Sequence, residues 1–217
     1  MVSVHTVGQH GQSEVFQCKK VICTVPLSLL KERAIEFDPP LPGGHQHSIE
    51  TIGFGVMDKV FLAFEKPFWK EDMLRIKIGA YDQHKFSHFI NLSTHESFVL
   101  CGFITQQFCR NLHKSHSAQK IALLALEALQ KAFPSAEMAL KDSHVTNWEA
   151  DPYSKGAWSF FSASTTLGDL EKIREGIDGW LWFAGEHCYY ESIGSAHSAF
   201  CSGHWASKQM LETLQAE

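Results

Sequence analysis

The segment from residue 183 to residue 207 constrains the fold of this chain more than any other part of it. It continues a short apolar run, residues 179–186, which predicts a buried strand ending in a glycine and a carboxylate. After Ser195, small and apolar residues recur with helical spacing: Ala196, Ala199, Phe200, Gly203, Ala206, Met210, Leu211 and Leu214. The pattern therefore predicts a strand, then Gly194 and Ser195 leading into a helix whose first turns are narrow enough for another group to approach closely.

The start of this helix can bind negative charge. The first N–H groups of a helix lack partners within it, and the positive end of the helix dipole favours an anion or an oxygen that accumulates negative charge. Glu186 adds a carboxylate that can accept hydrogen bonds from hydroxyl groups. The spacing alone leaves an alternative open, in which Ser195 is only a helix N-cap and Glu186 only a surface acid.

Proline and glycine divide the first quarter of the chain. Residues 20–25 form an apolar, β-branched run that predicts a buried strand, and Pro26 then opens a short helix over residues 27–34. Residues 37–44 carry three prolines and two glycines. We expect irregular structure there, with the chain crossing between layers or domains.

Beyond this crossing, two runs rich in aromatic and β-branched residues, 56–64 and 97–105, predict strands of a sheet covered on one face. Residues 117–133 show apolar positions at spacings of three and four and end before Pro134, which predicts an amphipathic helix. Residues 147–161 form a loop that is dense in aromatic side chains.

Composition limits the class of protein. Apolar residues make up 44% and charged residues 20%, which excludes a disordered chain. The net charge of −5 argues against nucleic acid as the main partner. The polar opening lacks the apolar core of an export signal, and no apolar run is long enough to predict a membrane span. Six scattered cysteines without a C-x-x-C pair favour a reducing interior, so we expect an intracellular, cytoplasmic protein without a membrane partner.

The C-terminal helix also invites a search for a metal site, because His197, Cys201 and His204 lie three and four residues apart. The other histidines show no ligand spacing, and we predict no metal site. The chain has neither a G-x-S-x-G nucleophile elbow nor a G-x-x-x-x-G-K-[ST] phosphate loop, which argues against two large hydrolase classes.

The C-terminal block FAGEHCYYESIGSAHSAFCSG resembles the flavin-binding signature of the flavin-dependent amine oxidases, the family of polyamine oxidases, monoamine oxidases and lysine-specific histone demethylases. Four further segments follow the order of that family: ICTVPLSLLK, DPPLP, GFGVMDKVFLAFEKPFW and NWEADPYSKGAWSF. The resemblance therefore extends over nearly the whole chain.

The resemblance implies FAD as the cofactor. Thr24, Val25 and Pro26 would lie against FAD, Gly185 and Glu186 would contact its ribityl and pyrophosphate region, and Ser195 and Ala196 would offer N–H groups to the pyrimidine edge of the flavin. The residues expected to bind the cofactor are Thr24, Val25, Pro26, Trp148, Tyr153, Gly185, Glu186, Gly194, Ser195, Ala196 and Ala199.

The resemblance also implies a catalytic role for Lys59, because the lysine of this segment is associated with a water near flavin N5. Taken alone, Lys59 could equally be a solvated lysine at a strand edge. Trp148 and Tyr153 could likewise be core aromatics, but the resemblance places them near the flavin, where flat rings exclude water and hold an amine by cation–π contact.

The fold expected from the resemblance is α/β plus α+β: the C-terminal part of a FAD-binding, doubly wound (Rossmann-like) domain, with a mixed-sheet substrate domain. The expected segments are 1–38 and 147–217 for the FAD domain and 39–146 for substrate binding. The family's N-terminal dinucleotide-binding βαβ unit, with its G-x-G-x-x-G, is missing. A partner chain or the missing half would then cover the exposed strands. Ser198 departs from the family pattern, because it replaces a usual glycine.

The function implied is FAD-dependent oxidation of a small amine by oxygen. The amine would be of the polyamine or N-methylated lysine type, and hydride transfer to flavin N5 would give an imine and hydrogen peroxide. The alternative is a catalytically inactive, truncated fragment that acts as a binding or interaction module.

Overall fold

The computed structural model describes residues 1–8, 10–70, 72–78 and 86–215. It is a mixed α/β structure that divides into two compact units. The terminal unit comprises Met1–Gly55 and Trp158–Glu217, and the central unit comprises Val56–Ala157. The three segments expected from the sequence, 1–38, 39–146 and 147–217, stay a prediction about the domains. Among the residues described, no helix combines the length and the apolar character needed to cross a bilayer.

Among the residues described, the terminal unit contains short strands, four α-helices, and two single-turn 3₁₀ helices at Glu186–Cys188 and Tyr190–Ser192. The strands are β1 (Val2–Val7), β2 (Ser13–Cys18), β3 (Val21–Cys23), β4 (Gly53–Phe54), β10 (Ser159–Phe160) and β11 (Leu181–Phe183). The helices are α1 (Leu27–Lys31), α2 (Gly43–Thr51), α5 (Leu167–Arg174) and α6 (Ala196–Gln215). β1 and β2 form an antiparallel hairpin, β4 pairs antiparallel with β10, and β3 pairs parallel with β11.

The central unit is built on one antiparallel sheet. Its strands are β5 (Met57–Phe64), β6 (Arg75–Lys77), β7 (His88–Asn91), β8 (Phe98–Thr105) and β9 (Leu140–Val145), and its helices are α3 (Gln106–Ser115) and α4 (Ala118–Ala132). The strand order is β6-β7-β8-β5-β9. The sheet and both helices share a single apolar core, which confirms the prediction of a sheet covered on one face.

Strand β5 shows how the alternation of side chains sorts residues in this sheet. Asp58, Val60, Leu62 and Phe64 are buried, while Lys59, between the first two, is exposed. Successive side chains of a strand point to opposite faces, so the Lys59 side chain lies on the face away from the core. β5 is an interior strand, paired with β8 on one side and with β9 on the other.

The predicted amphipathic helix is confirmed as α4. The Ser117 hydroxyl caps its start by accepting a hydrogen bond from the N–H of Lys120, and the helix ends just before Phe133. The apolar stripe predicted from the sequence faces the core through Ile121, Ala125 and Leu129.

The prediction for residues 37–44 was partly wrong. Gly43 and Gly44 form the first turn of α2 rather than irregular structure. Pro42 precedes the helix with φ of −55°, a value that suits entry into a helix. The buried side chains of Ser48 and Ile49 then hold the helix in place, so tertiary packing outweighs the poor helix propensity of the two glycines.

Candidate functional site

The parallel pair β3–β11 defines an edge in the terminal unit at which two candidate segments emerge. Cys23 lies opposite Phe183 in register, and Ala184 continues the ladder by donating its N–H to the Cys23 carbonyl at 3.0 Å. The chain leaves the two strands at the same end, through Thr24 on one side and Gly185 on the other. In α/β sheets, ligands bind at the carboxyl ends of parallel strands, and this edge is such a place.

The three residues after β3 are accessible at this edge. Thr24 and Pro26 are exposed, whereas Val25 is half-buried and packs against the apolar core of the terminal unit. The sequence predicted a strand through Val25, but β3 ends at Cys23. The backbone of Thr24 is therefore outside the strand and can face a ligand.

Glu186 provides a half-buried carboxylate at the same edge. Ser159 donates its hydroxyl to Oε1 at 2.7 Å and its backbone N–H to both carboxylate oxygens at 3.2 Å. Burial raises the pKa of Glu186, and the hydrogen bonds from Ser159 offset part of that shift. Since a carboxylate has about four acceptor positions, Glu186 keeps capacity for a hydroxyl donor from a ligand.

Gly194 forms a tight turn between Glu186 and α6. Its φ is +82°, a value that residues with a side chain rarely adopt. A Cβ at this position would lie 2.7 Å from the Ser159 carbonyl oxygen and 3.0 Å from Cδ1 of Trp158. The turn is thus pressed against the segment that holds the Glu186 carboxylate, and only glycine fits there without movement.

Ser195 caps α6. Its hydroxyl accepts the N–H of Ser198 at 3.1 Å and donates to the Ser192 carbonyl at 2.7 Å. The N-cap interpretation left open by the sequence is therefore confirmed. This cap still leaves backbone donors at the helix start for a ligand. The first hydrogen bond along α6 runs from the Ala199 N–H to the Ser195 carbonyl, so the N–H groups of Ala196 and His197 have no acceptor within the helix.

Two buried serines that were not predicted as site residues hold this region together. The Ser198 hydroxyl lies 2.9 Å from the Glu186 carbonyl oxygen and 3.0 Å from that of Tyr189. One turn later, Ser202 accepts the N–H of Gly185 at 2.9 Å and is in donor range of the Gly185 carbonyl at 2.8 Å. A signal was available in the sequence, since two serines four residues apart on a face of small residues can bond to a neighbouring backbone.

His187 lies buried beside Gly185. Its ring is 1% exposed, and among the residues described its Nε2 has no hydrogen-bond partner. Burial lowers the pKa of His187 to about 4. The imidazole is therefore neutral near pH 7 and adds no positive charge to the site.

In the central unit, Lys59 and Trp148 are tied to one buried carboxylate. Thr146 makes two hydrogen bonds with the backbone of Lys59. Its Oγ1 accepts the Lys59 N–H at 2.9 Å, and its N–H donates to the Lys59 carbonyl at 3.0 Å. The same Thr146 hydroxyl donates to Oδ1 of Asp58 at 2.7 Å, and the Trp148 N–H donates to that oxygen at 2.9 Å. Asp58 was not predicted as a site residue.

The two predicted aromatic site residues have exposed rings. Trp148 and Tyr153 belong to one loop of the central unit, which the Gly156 N–H closes by bonding to the Trp148 carbonyl at 3.1 Å. Exposed aromatic faces are available to a ligand, which a core role would not allow. The alternative that these two rings are core aromatics is wrong.

The comparison with known families decides the identity. The model of the family described as "Flavin containing amine oxidoreductase" matches residues 1–211. The chain belongs to this family. In this member of the family, the candidate flavin-binding edge lies in the terminal unit, and Lys59, Trp148 and Tyr153 lie in the central unit.

Several curated relatives of this chain carry informative names. The human "Peroxisomal N(1)-acetyl-spermine/spermidine oxidase" is 31% identical over 93% of this chain and 44% of its own length. "Polyamine oxidase 2" of Arabidopsis thaliana is 30% identical over 94% of this chain and 41% of its length. "Histone demethylase-like protein A" of Aspergillus fumigatus is 30% identical over 96% of this chain and 21% of its length. The chain thus spans less than half the length of these relatives.

Proposed function

We propose that this chain takes part in the FAD-dependent oxidation of an amine of the polyamine or N-methylated lysine type. The observation that carries the proposal is the meeting of the Glu186 carboxylate, the Gly194 turn and the open start of α6 at the carboxyl edge of β3 and β11. The names of the relatives support the substrate class. When bound, FAD would accept a hydride from the carbon next to the amine nitrogen and pass the electrons to oxygen, giving an imine and hydrogen peroxide.

The residues of the terminal unit fit a flavin nucleotide. The fit rests on complementary groups: an acceptor carboxylate at Glu186, amide donors at Ala196 and His197 that have no backbone acceptor among the residues described, and a turn at Gly194 without a side chain. We assign the cofactor contacts to Thr24, Val25, Pro26, Gly185, Glu186, Gly194, Ser195, Ala196 and Ala199. In this proposal the parallel pair β3–β11 belongs to a larger doubly wound sheet.

The start of α6 would stabilise negative charge on the cofactor. The N–H groups of Ala196 and His197 and the positive end of the helix dipole act in the same direction, by about 1 kcal/mol or more. The Ser195 cap and the buried Ser198 fix the position of these amides, so they need no reorganisation when charge develops.

The central unit would supply the amine-handling residues. The exposed Lys59 ammonium would donate a hydrogen bond to a water molecule and orient that water for hydrolysis of the imine. Trp148 and Tyr153 would exclude bulk water and hold the amine through their ring faces. Asp58 would fix the backbones of Lys59 and Trp148 relative to each other.

Cofactor binding and amine oxidation can be tested separately. For the first, the purified chain is titrated with FAD, and binding is followed by flavin fluorescence. We expect Glu186→Gln to weaken binding, whereas Glu212→Gln, an exposed acid on α6, should not. No flavin uptake by the wild-type chain would contradict the assigned cofactor site.

For the second, hydrogen peroxide production is measured with spermine, N-acetylated spermine and a methyl-lysine peptide. We expect Lys59→Met to reduce the rate, while Lys77→Met, which removes another exposed strand lysine of the central unit, should leave it unchanged. Flavin binding without peroxide from any of these amines would overturn the catalytic proposal. Such a result would favour the alternative, a fragment that serves as a binding module.

A further inference from the structure

Three side chains with metal-binding atoms meet at the end of the central sheet. Asp58 Oδ2 lies 3.1 Å from Cys109 Sγ and 3.2 Å from His113 Nε2, and all three potential ligand atoms lie within 4.8 Å of one another. Asp58 and Cys109 are fully buried, and the His113 side chain is only 17% exposed. This is the one group of three or more potential ligands among the residues described.

The arrangement follows from a helix packed on a strand. Cys109 and His113 are four residues apart on α3, so they share one face of the helix. That face meets the core side of β5, where Asp58 points inward. Cys109 and Asp58 are 51 residues apart in the chain, so no local spacing reveals the cluster.

The contact between His113 and Asp58 lacks the geometry of a hydrogen bond. The His113 Nε2 atom is buried and, although 3.2 Å from the carboxylate, has no hydrogen-bond partner. Two ligands of one tetrahedral zinc ion, each at about 2.0–2.2 Å from the metal, are themselves about 3.3–3.6 Å apart without pointing at each other. The 3.2 Å between His113 Nε2 and Asp58 Oδ2 is close to the short end of that range. The 3.1 Å between Cys109 Sγ and Asp58 Oδ2 belongs to a hydrogen bond that a bound ion would replace.

We infer that Asp58 Oδ2, Cys109 Sγ and His113 Nε2 bind one divalent cation of the zinc class. Thiolate and imidazole ligands favour zinc and similar ions over magnesium or calcium. Three protein ligands leave the fourth position of a tetrahedral site to water, which can enter beside His113, the partly exposed member of the three.

Charge balance supports this assignment. A buried carboxylate is costly without a compensating positive charge. Without a metal, the buried Cys109 thiol donates its S–H to Oδ2 of Asp58 at 3.1 Å. On binding, the S–H bond breaks, a sulfur–metal bond forms and the proton leaves to solvent. One carboxylate and one thiolate then neutralise the divalent ion.

The ion would also stabilise the loop that carries the exposed aromatics. While Oδ2 of Asp58 faces the cluster, Oδ1 accepts hydrogen bonds from Thr146 and Trp148. A bound cation would fix the orientation of this carboxylate and hence the attachment of the loop. The inference does not depend on FAD or on amine oxidation.

The test uses the full chain, purified under reducing conditions, stripped with a chelator and titrated with Co²⁺ and then with Zn²⁺. We expect one Co²⁺ per chain, with a thiolate-to-cobalt charge-transfer band, displaced by Zn²⁺. Cys109→Ala should abolish the band, and His113→Gln should weaken binding by roughly 10- to 100-fold or more. The controls are Cys101→Ala, a buried thiol on β8, and His88→Gln, another histidine whose Nε2 has no hydrogen-bond partner among the residues described. Both should bind as wild type.

A second measurement guards against variants that do not fold. Equimolar Zn²⁺ should raise the melting temperature of the stripped wild-type chain and of Cys101→Ala, but not that of Cys109→Ala. The inference is overturned if the wild-type chain gives no charge-transfer band and no rise in melting temperature. It is also overturned if Cys109→Ala keeps the band. The three side chains would then form a buried hydrogen-bonded cluster without metal. Because no flavin is used, this result is separate from the outcome of the cofactor titration.

Discussion

Ser159 donates two groups to the Glu186 carboxylate, its hydroxyl at 2.7 Å and its backbone N–H at 3.2 Å. The two residues are 27 positions apart, on β10 and at the turn after β11. The same Ser159 supplies the carbonyl oxygen against which the Gly194 turn is packed. One buried serine therefore positions both the acidic group and the turn of the candidate flavin-binding edge.

Replacement of Ser159 by alanine should lower the free energy of unfolding by about 1–2 kcal/mol, because a half-buried charged acceptor loses its hydroxyl donor. Urea denaturation of the two proteins would measure the difference. Ser164→Ala removes an exposed hydroxyl of the same unit and should change stability by less than about 0.5 kcal/mol. Equal losses for the two variants would contradict a special role for the Ser159–Glu186 contact.

Acid should destabilise the protein through His187. Burial holds its pKa at about 4 in the folded state, below the usual 6.5, so the unfolded chain binds the proton first as pH falls. The stability is therefore present above pH 6.5 and is lost between pH 6.5 and 4, by roughly 3 kcal/mol at most. His187→Gln should flatten this part of the stability–pH curve, while His204→Gln, at an exposed position of α6, should leave its slope as in wild type. A curve for His187→Gln parallel to wild type would refute the assignment.

Two glycine-to-alanine substitutions should change the free energy of unfolding in opposite directions. Gly194→Ala combines a positive φ with a Cβ placed 2.7 Å from a backbone oxygen, and should destabilise the protein by about 1–3 kcal/mol. Gly203 lies within α6, and a Cβ at this position would have nothing within 4 Å. Gly203→Ala should therefore stabilise the protein by about 0.5–1 kcal/mol. Thermal or urea unfolding of both variants would show whether the Gly194 turn is as closely packed as the structure indicates.

Ser198→Ala should be costly although it removes a single atom. The hydroxyl of this fully buried residue is the donor near the Glu186 and Tyr189 carbonyls, and its loss should reduce stability by about 1–3 kcal/mol. Ser207→Ala, whose hydroxyl bonds only to the preceding turn of α6, is the matched control and should change little. Hydrogen exchange should also quicken at residues 186–189 in the Ser198 variant alone.

The local elements were predictable where a segment carries its own periodicity. β5 and α4 follow the alternation and the helical spacing of their own residues, and both lie within a residue of their predicted limits. The helical spacing from Ser195 onward likewise predicted α6, which begins at Ala196. The motifs around these elements were also sufficient to identify the family.

The helix start at Gly43 and the hairpin β1–β2 were not predicted. Two glycines after a proline favour a turn by local rules, and only the burial of Ser48 and Ile49 makes a helix the better solution. The hairpin strands are largely exposed, and the alternation of apolar and polar residues in β1 is limited to Val2–His5.

The amino-acid sequence by itself determined the family, the elements β5, β8, α4 and α6, and a helix start suited to negative charge. Only the tertiary structure decided that Ser159 reaches Glu186 and that Asp58 meets Cys109 and His113. The physical reason is the separation of the contacting residues along the chain. A periodic pattern records which face of an element is buried, but contacts between residues 27 or 51 positions apart depend on how separate elements pack.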